Sequence, residues 1–326
     1  MLPNVQQVCD SLTVNYAILN RLEPFTAAEI PLAAAAICTA RGRMAEKAAI
    51  DRCREIIRSR TGVVSEYRGT ARFITYCKMA LSGDPEAYFA RVDSIYRILN
   101  PGFFGNESNI LAAMILADAA DSDVKGAAYA EQTLKLYQKM KSTHLFLTDV
   151  YDRPFAAVMA ISGKDADALT DEAEACFRVM KAQKLGESNA LQSLSHVLAL
   201  YAGRAEEKCE RVRAIRDGLK KEKHPYPGSG RLAMLGLFSD VSMPAEDIVQ
   251  EIVSAEHYLQ QQKVFQGLFS APGTEALRMY AAQSVQSALA GQQTAVCSAE
   301  VSAMLSAAVT EAIAIWMMLM AASVTT

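Results

Sequence analysis

Tyr96-Arg97-Ile98-Leu99-Asn100-Pro101-Gly102 closes a charged, two-faced helix with a break, and the pattern recurs. Ile56-Ile57-Arg58-Ser59-Arg60-Thr61-Gly62 precedes it, and Tyr137-Gln138-Lys139-Met140, Phe177-Arg178-Val179-Met180 and Ile215-Arg216-Asp217-Gly218-Leu219 follow. The large apolar residue opening each copy stands at 56, 96, 137, 177 and 215, steps of 40, 41, 40 and 38, and Tyr258 comes 43 later. Independent helices have no reason to keep such a step. Arrays of helical hairpins do, because each hairpin buries an apolar face on its neighbour.

Working outward, the chain alternates short apolar helices with longer two-faced ones. The predicted pairs are Ala27 to Ala40 with Met44 to Arg60; Arg72 to Leu81 with Pro85 to Leu99; and Ser108 to Ala120 with Val124 to Lys141. They continue as Pro154 to Ile161 with Asp165 to Ala182, Ala190 to Tyr201 with Ala205 to Lys221, and Gly230 to Leu237 with Pro244 to Gln262. The composition of each pair predicts enclosed first helices and water-facing second ones. A helix from Asn4 to Leu22 precedes the array. Thr26-Ala27-Ala28-Glu29 reads as a capping box, and Gly62 as a left-handed stop. Strand signals are weak throughout, since runs such as Val63-Val64 lack alternation and hairpin turns. The fold expected is all-α: about six or seven helical hairpins, as a curved α/α solenoid or a closed α/α toroid. One domain, residues 1–326, would hold repeats over about 27–272 and capping helices over 273–326, at Thr274 to Leu289 and Thr294 to Ala322.

Bulk properties narrow the class. With 51% hydrophobic residues the chain can build a large core. Its formal charge of -3, and basic clusters interleaved with acids, argue against nucleic acid as a partner. The seven cysteines are scattered and never in a C-x-x-C pair, which fits a reducing cytoplasm. Met1 to Asp10 shows no secretory signal, and the apolar run Ala312 to Ala322, with Met317, Met318 and Met320, is too short to span a bilayer; it reads as a core helix, so no membrane association is expected.

No phosphate-binding, dinucleotide, zinc-protease or nucleophile-elbow motif is present, and no cofactor is implied. Polar residues instead recur near the start of successive first helices: Arg72; Glu107 and Asn109; Asp149, Asp152 and Arg153; Asn189, Gln192 and His196; and Arg231. Lined up at one rim, the helix N-termini would favour an anion or polar ligand. The plainer reading of the same residues is capping and hydrogen bonding between repeats. His144 and His196, with Asp149 and Asp152, form the one grouping suited to proton transfer. Gln192 and His196 share a helix face, but no two histidines fall at ligand spacing and no metal site is expected.

Tyr137-x-x-Met140-Lys141, His144-x-Phe146-Leu147-Thr148, Asp152-x-Pro154-x-Ala156-Ala157 and Asn189-Ala190-Leu191-Gln192-Ser193-Leu194-Ser195-His196-x-Leu198 resemble bacterial proteins grouped as domain of unknown function 4003. The similarity runs from about Pro24 to the apolar tail and includes Pro225-x-Pro227. Val150-Tyr151 departs from a more acidic stretch in that family. The resemblance implies a cytoplasmic bacterial protein and carries no mechanism. The function expected is therefore a binding or scaffolding module, taking a small molecule, peptide or protein at its concave face or rim. The alternative is a toroid-type hydrolase or lyase using Asp152 or Asp149 with His196.

Overall fold

The structure, a computed structural model, describes residues 1–24, 26–102, 105–226, 228–266 and 271–289, with 308, 309, 312 and 313. Fourteen α-helices and no β-strand occur among the described residues. In chain order they are α1 (Pro3–Leu22), α2 (Glu29–Ala40), α3 (Lys47–Arg60), α4 (Arg72–Leu81), α5 (Pro85–Leu99), α6 (Glu107–Ala119) and α7 (Asp123–Thr143). Then come α8 (Arg153–Ile161), α9 (Ala166–Ala182), α10 (Ser188–Leu198), α11 (Ala205–Lys221), α12 (Ser229–Leu235), α13 (Ala245–Gln261) and α14 (Ala271–Leu289). Other than those four single positions, the expected Thr294 to Ala322 helix lies outside the described residues, as do Cys297 and Pro227.

The contacts divide into two compact units, one built from Met1–Thr13 and Lys164–Ile313, the other around Val14–Gly163. In the second unit α2 packs on α4, α4 on α6 and α6 on α8, while α3 packs on α5 and α5 on α7. In the first, α10 packs on α12 and α12 on α14, while α9 packs on α11 and α11 on α13. Within each unit, even-numbered helices from α2 onward thus contact one another, and odd-numbered ones from α3 onward do likewise. Burial follows from this. Ser108 through Ala117 of α6 and Pro154 through Ile161 of α8 are buried all round, whereas α3 buries Ile50, Cys53, Ile56 and Ile57 along one stripe.

Glycines with positive φ mark the turn from the even to the odd helix: Gly42, Gly83, Gly163 and Gly203, at φ of 60°, 82°, 71° and 101°. Their spacing of 41, 80 and 40 repeats the period of the array or its double. A left-handed residue lets the chain reverse sharply after the apolar helix, and glycine has no Cβ to oppose it. After Gly83 and Gly163 the next helix starts on a side-chain cap: Asp84 accepts from Ala87 N–H at 3.1 Å, and Asp165 accepts from Asp167 and Ala168 N–H at 2.9 and 3.1 Å.

The carbonyls ending the enclosed helices are met by cations from their neighbours. Arg91 of α5 donates to Ala120 O at 3.2 Å, Lys164 to Leu200 O at 2.8 Å, and Lys208 of α11 to Leu198 O and Tyr201 O at 2.9 and 3.0 Å. Arg211 of α11 donates to Phe238 O at 2.8 Å and also bonds Val241 O and Met243 O. Positive charge at the negative helix end, in place of water, is what lets these helices be enclosed.

Three local expectations are corrected. Ala28 precedes α2 in helical conformation without a side-chain cap, and the Thr26 hydroxyl donates backward to Glu23 O at 2.9 Å, so no capping box forms. Gly62 has no positive φ: Thr61 is extended, its hydroxyl closes on Ile57 O at 2.7 Å, and Arg68 donates to Arg58 O and Thr61 O at 2.7 Å each. With those carbonyls satisfied, no left-handed residue is needed there. α14 begins at Ala271, ahead of the expected Thr274.

Candidate functional site

In the unit around Val14–Gly163, side chains lock together three of the connections that run from an odd to an even helix, those at 61–71, 100–106 and 144–152. Glu107 opens α6 and reaches back to α4. Its Oε1 accepts from Thr70 N–H at 3.0 Å and its Oε2 from Ala71 N–H at 2.8 Å. The carboxylate lies against Gly69, where a Cβ would overlap it, and the Glu66 side chain lies against Gly105 in the same way. Each connection thus supplies a glutamate to the glycine of the other. A carboxylate on two N–H groups at a helix start is a strong arrangement, because both bonds are charge-assisted and aligned with the dipole.

Arg153 joins the second connection to the third. Its Nη1 donates to Leu99 O at 2.8 Å and Asn109 Oδ1 at 2.5 Å, and its guanidinium lies 4.8 Å from the Tyr137 ring centre. Asn109 in turn donates to Asn100 Oδ1 at 2.8 Å. Beside it, Asp149 Oδ1 accepts from Tyr151 N–H at 2.8 Å while Asp152 Oδ2 accepts from Asp149 N–H at 3.0 Å, a reciprocal capping box on a 3₁₀ turn, Val150–Asp152. Burial pushes the Asp152 carboxyl up to about 7, helped by the Asp149 charge and opposed by the Asp149 N–H.

Of the sequence-predicted residues, Arg72, Asn109, Asp149 and Asp152 therefore gather at this end, and their bonds go to protein groups. Arg72 donates to Gly69 O at 3.2 Å and pairs with Glu23 at 3.8 Å. His144 ends α7, and its carbonyl accepts from Leu147 and Thr148 N–H. The others belong to the unit containing Lys164–Ile313: Asn189 is exposed on the first turn of α10, Gln192 and His196 are buried one turn apart on the same helix, and Arg231 sits half-buried on α12. Among the described residues no three of His, Cys, Asp and Glu gather as metal ligands.

Sequence reading placed Glu107 and Arg153 among the rim residues but not the bonds by which they lock this end, and it passed over Glu66. The signal was present in Glu66-x-x-Gly69 and Gly105-x-Glu107, carboxylates two or three positions from glycine in adjacent connections. It also passed over Leu145 and Phe146 in the third connection, 60% and 97% exposed, and did not connect them with Val63 and Val64 in the first, 84% and 96% exposed. With Glu107, Asn109, Asp149 and Asp152 bonded to protein groups, this end offers apolar side chains on a braced support.

The family described as "Protein of unknown function (DUF4003)" matches residues 15–314. A relative, "Uncharacterized protein YeaA" of Bacillus subtilis (strain 168), is 26% identical over 180 residues, covering 53% of this chain and 52% of that protein. The chain thus spans about half the length of this curated relative. No solved structure matches. Among the described residues no helix is long and apolar enough to cross a membrane.

Proposed function

We propose, from the premise that this chain belongs to the DUF4003 family of proteins of unknown function, that it is a binding or scaffolding protein and that the locked end of the Val14–Gly163 unit receives a peptide or protein segment. The observation that carries this reading is Phe146, 97% exposed with Leu145 beside it, held on a connection braced by Arg153 and the Asp149–Asp152 box. Exposed large apolar residues on a rigid support are the usual anchors of a partner surface. The wider frame is a cytoplasmic helical-repeat array of solenoid or toroid kind, in which this end would serve as the rim.

The test is photocrosslinking in cells with a benzophenone amino acid at position 146. Val124, 81% exposed at the start of α7, is the control. Discrete adducts at 146 that are missing at 124, and that Leu145→Ser reduces, support the reading. Identical adduct patterns at both positions would sink it.

A second reading, a hydrolase or lyase using Asp152 or Asp149, is favoured by one observation: a carboxyl held near 7 suits proton transfer at neutral pH. His196, the partner expected from sequence, belongs to the other unit, and the capping bond occupies the Asp152 carboxylate. Native mass spectrometry of retained small molecules addresses it. A molecule kept by the wild type and lost from folded Asp152→Asn is the expected sign of such a site.

A further inference from the structure

Two thiols on separate helices meet in the unit containing Lys164–Ile313. Cys176 lies on α9 and Cys209 on α11, 33 positions apart, and both are free thiols with 0% exposure. α9 packs on α11, and the two side chains hydrogen-bond each other across that seam. The Cys209 thiol also reaches Cys176 O at 3.6 Å, which holds its sulfur against the α9 backbone. Packing by itself does not ask for sulfur here. Alanine fills the same two stripes at Ala173 and Ala205, and it would close the seam as well. Facing thiols add a chemistry that alanine lacks.

The surroundings divide the pair into unlike members. Glu172 Oε1 accepts from Lys208 Nζ at 2.6 Å and from Cys176 Sγ at 3.7 Å, so the Cys176 proton has two acceptors, that carboxylate and the Cys209 sulfur. The hydrogen bond from Cys176 pulls the Cys209 thiol below its ordinary value, against desolvation by burial and with help from the Lys208 charge. The same bond, with burial behind it, pushes the Cys176 thiol far upward. Cys209 is thus the sulfur prepared to ionise, and Cys176 the one that keeps its proton. Glu172 retains 34% of its side-chain exposure and touches Cys176, so the pair lies one side chain beneath solvent.

We propose that Cys176 and Cys209 form a reversible disulfide site, closed by hydrogen peroxide and reopened by a dithiol. The Cys209 thiolate attacks one peroxide oxygen; an S–O bond forms, the O–O bond breaks, and the departing hydroxide takes up a proton and leaves as water. Cys209 is then a sulfenic acid. Cys176 attacks that sulfur, the S–S bond forms, the S–O bond breaks, and the hydroxide leaves with the Cys176 proton as a second water. Two thiols are oxidised and one peroxide is reduced, two electrons in all. A dithiol reverses the step by exchange and carries the electron deficit away as its own disulfide. Closure ties α9 to α11 covalently and restricts the unfolded chain.

The experiment treats the reduced full chain with hydrogen peroxide under native conditions, alkylates the remaining thiols after denaturation, and maps the peptides without reduction by mass spectrometry. A linked Cys176–Cys209 peptide that dithiothreitol removes is expected, with a melting temperature several degrees higher in the oxidised protein. Cys176→Ser should halt the sequence at the sulfenic acid, so that dimedone labels Cys209, whereas in Cys209→Ser dimedone should leave Cys176 unlabelled. Circular dichroism confirms that the variants fold, and the wild-type map decides the proposal should either fail to. Both thiols still alkylatable after peroxide, a linked peptide formed only in urea, or dimedone on Cys176 in place of Cys209 would each overturn it.

Discussion

Removing the Glu107 carboxylate should unfasten the start of α4. Glu107→Ala loses two charge-assisted bonds, to Thr70 N–H at 3.0 Å and Ala71 N–H at 2.8 Å, and the Ala71 amide belongs to a residue only 1% exposed. A bond to a charged group contributes about 1.5–3 kcal/mol. Glu107 itself keeps partial exposure, so solvent screening reduces the pair to a combined loss of about 2–3 kcal/mol. For a unit of this size that lowers the melting temperature by about 4–10 °C, read by circular dichroism at 222 nm. Gly69→Ala tests the cause. Its φ of -74° admits alanine, but the added Cβ would overlap the Glu107 carboxylate and displace it, costing about 1–2 kcal/mol. In the Glu107→Ala background the same substitution no longer displaces a carboxylate and meets the Glu66 carbonyl oxygen at 3.1 Å, so it should cost less than about 0.5 kcal/mol. The double-mutant cycle should therefore show a coupling of about 1–2 kcal/mol. Additive losses, or a Glu107→Ala loss below about 0.5 kcal/mol, would refute the clasp.

Asp152 is expected to make stability fall as pH rises. Its folded value of about 7 exceeds the ordinary 3.8, so between these values the unfolded chain releases the proton that the native state keeps, and stability is lost at about 1.4 kcal/mol per pH unit across that window. Asp152→Asn keeps an acceptor for Asp149 N–H and should flatten urea midpoints between pH 4 and 7; an unchanged slope counts against the burial argument. Lys208→Met should cost about 3 kcal/mol or more in urea denaturation, because it strips a buried cation from Glu172 and leaves the carbonyls of Leu198 and Tyr201 unmet. Gly83→Ala should lose about 1 kcal/mol at its φ of 82°, whereas Gly62→Ala, which meets nothing and has no positive φ, should be neutral or gain a few tenths. Equal thermal shifts for the two glycine variants would contradict the assigned turns.

Local chemistry along the chain was enough to read an all-helical protein and the alternation of enclosed with two-faced helices. A helix buried all round must be apolar at every position, as Ile110 through Ala117 is, and one facing water must confine its apolar residues to a stripe, as Ile50, Cys53 and Ile57 do. The left-handed turn glycines also lay in plain view at 42, 83, 163 and 203, although attention to the breaks after the odd helices put the stop at Gly62 instead.

What each polar side chain does could not be read in the same way, because a carboxylate or guanidinium is defined by its partner, and these partners are remote in sequence. Glu107 finds its amides 36 and 37 positions away, Arg153 reaches Asn109 across 44, and Glu256 meets His224 across 32. For Asp152 the sequence left capping, the plainer reading, beside a ligand-binding role; its bond does cap the turn three residues earlier, and burial, which no linear pattern records, raises its carboxyl to about 7. Helical periodicity is written in neighbours a few residues apart, so the chain displays it directly. Charge partners and solvent exclusion arise only when stacked helices bring distant segments side by side.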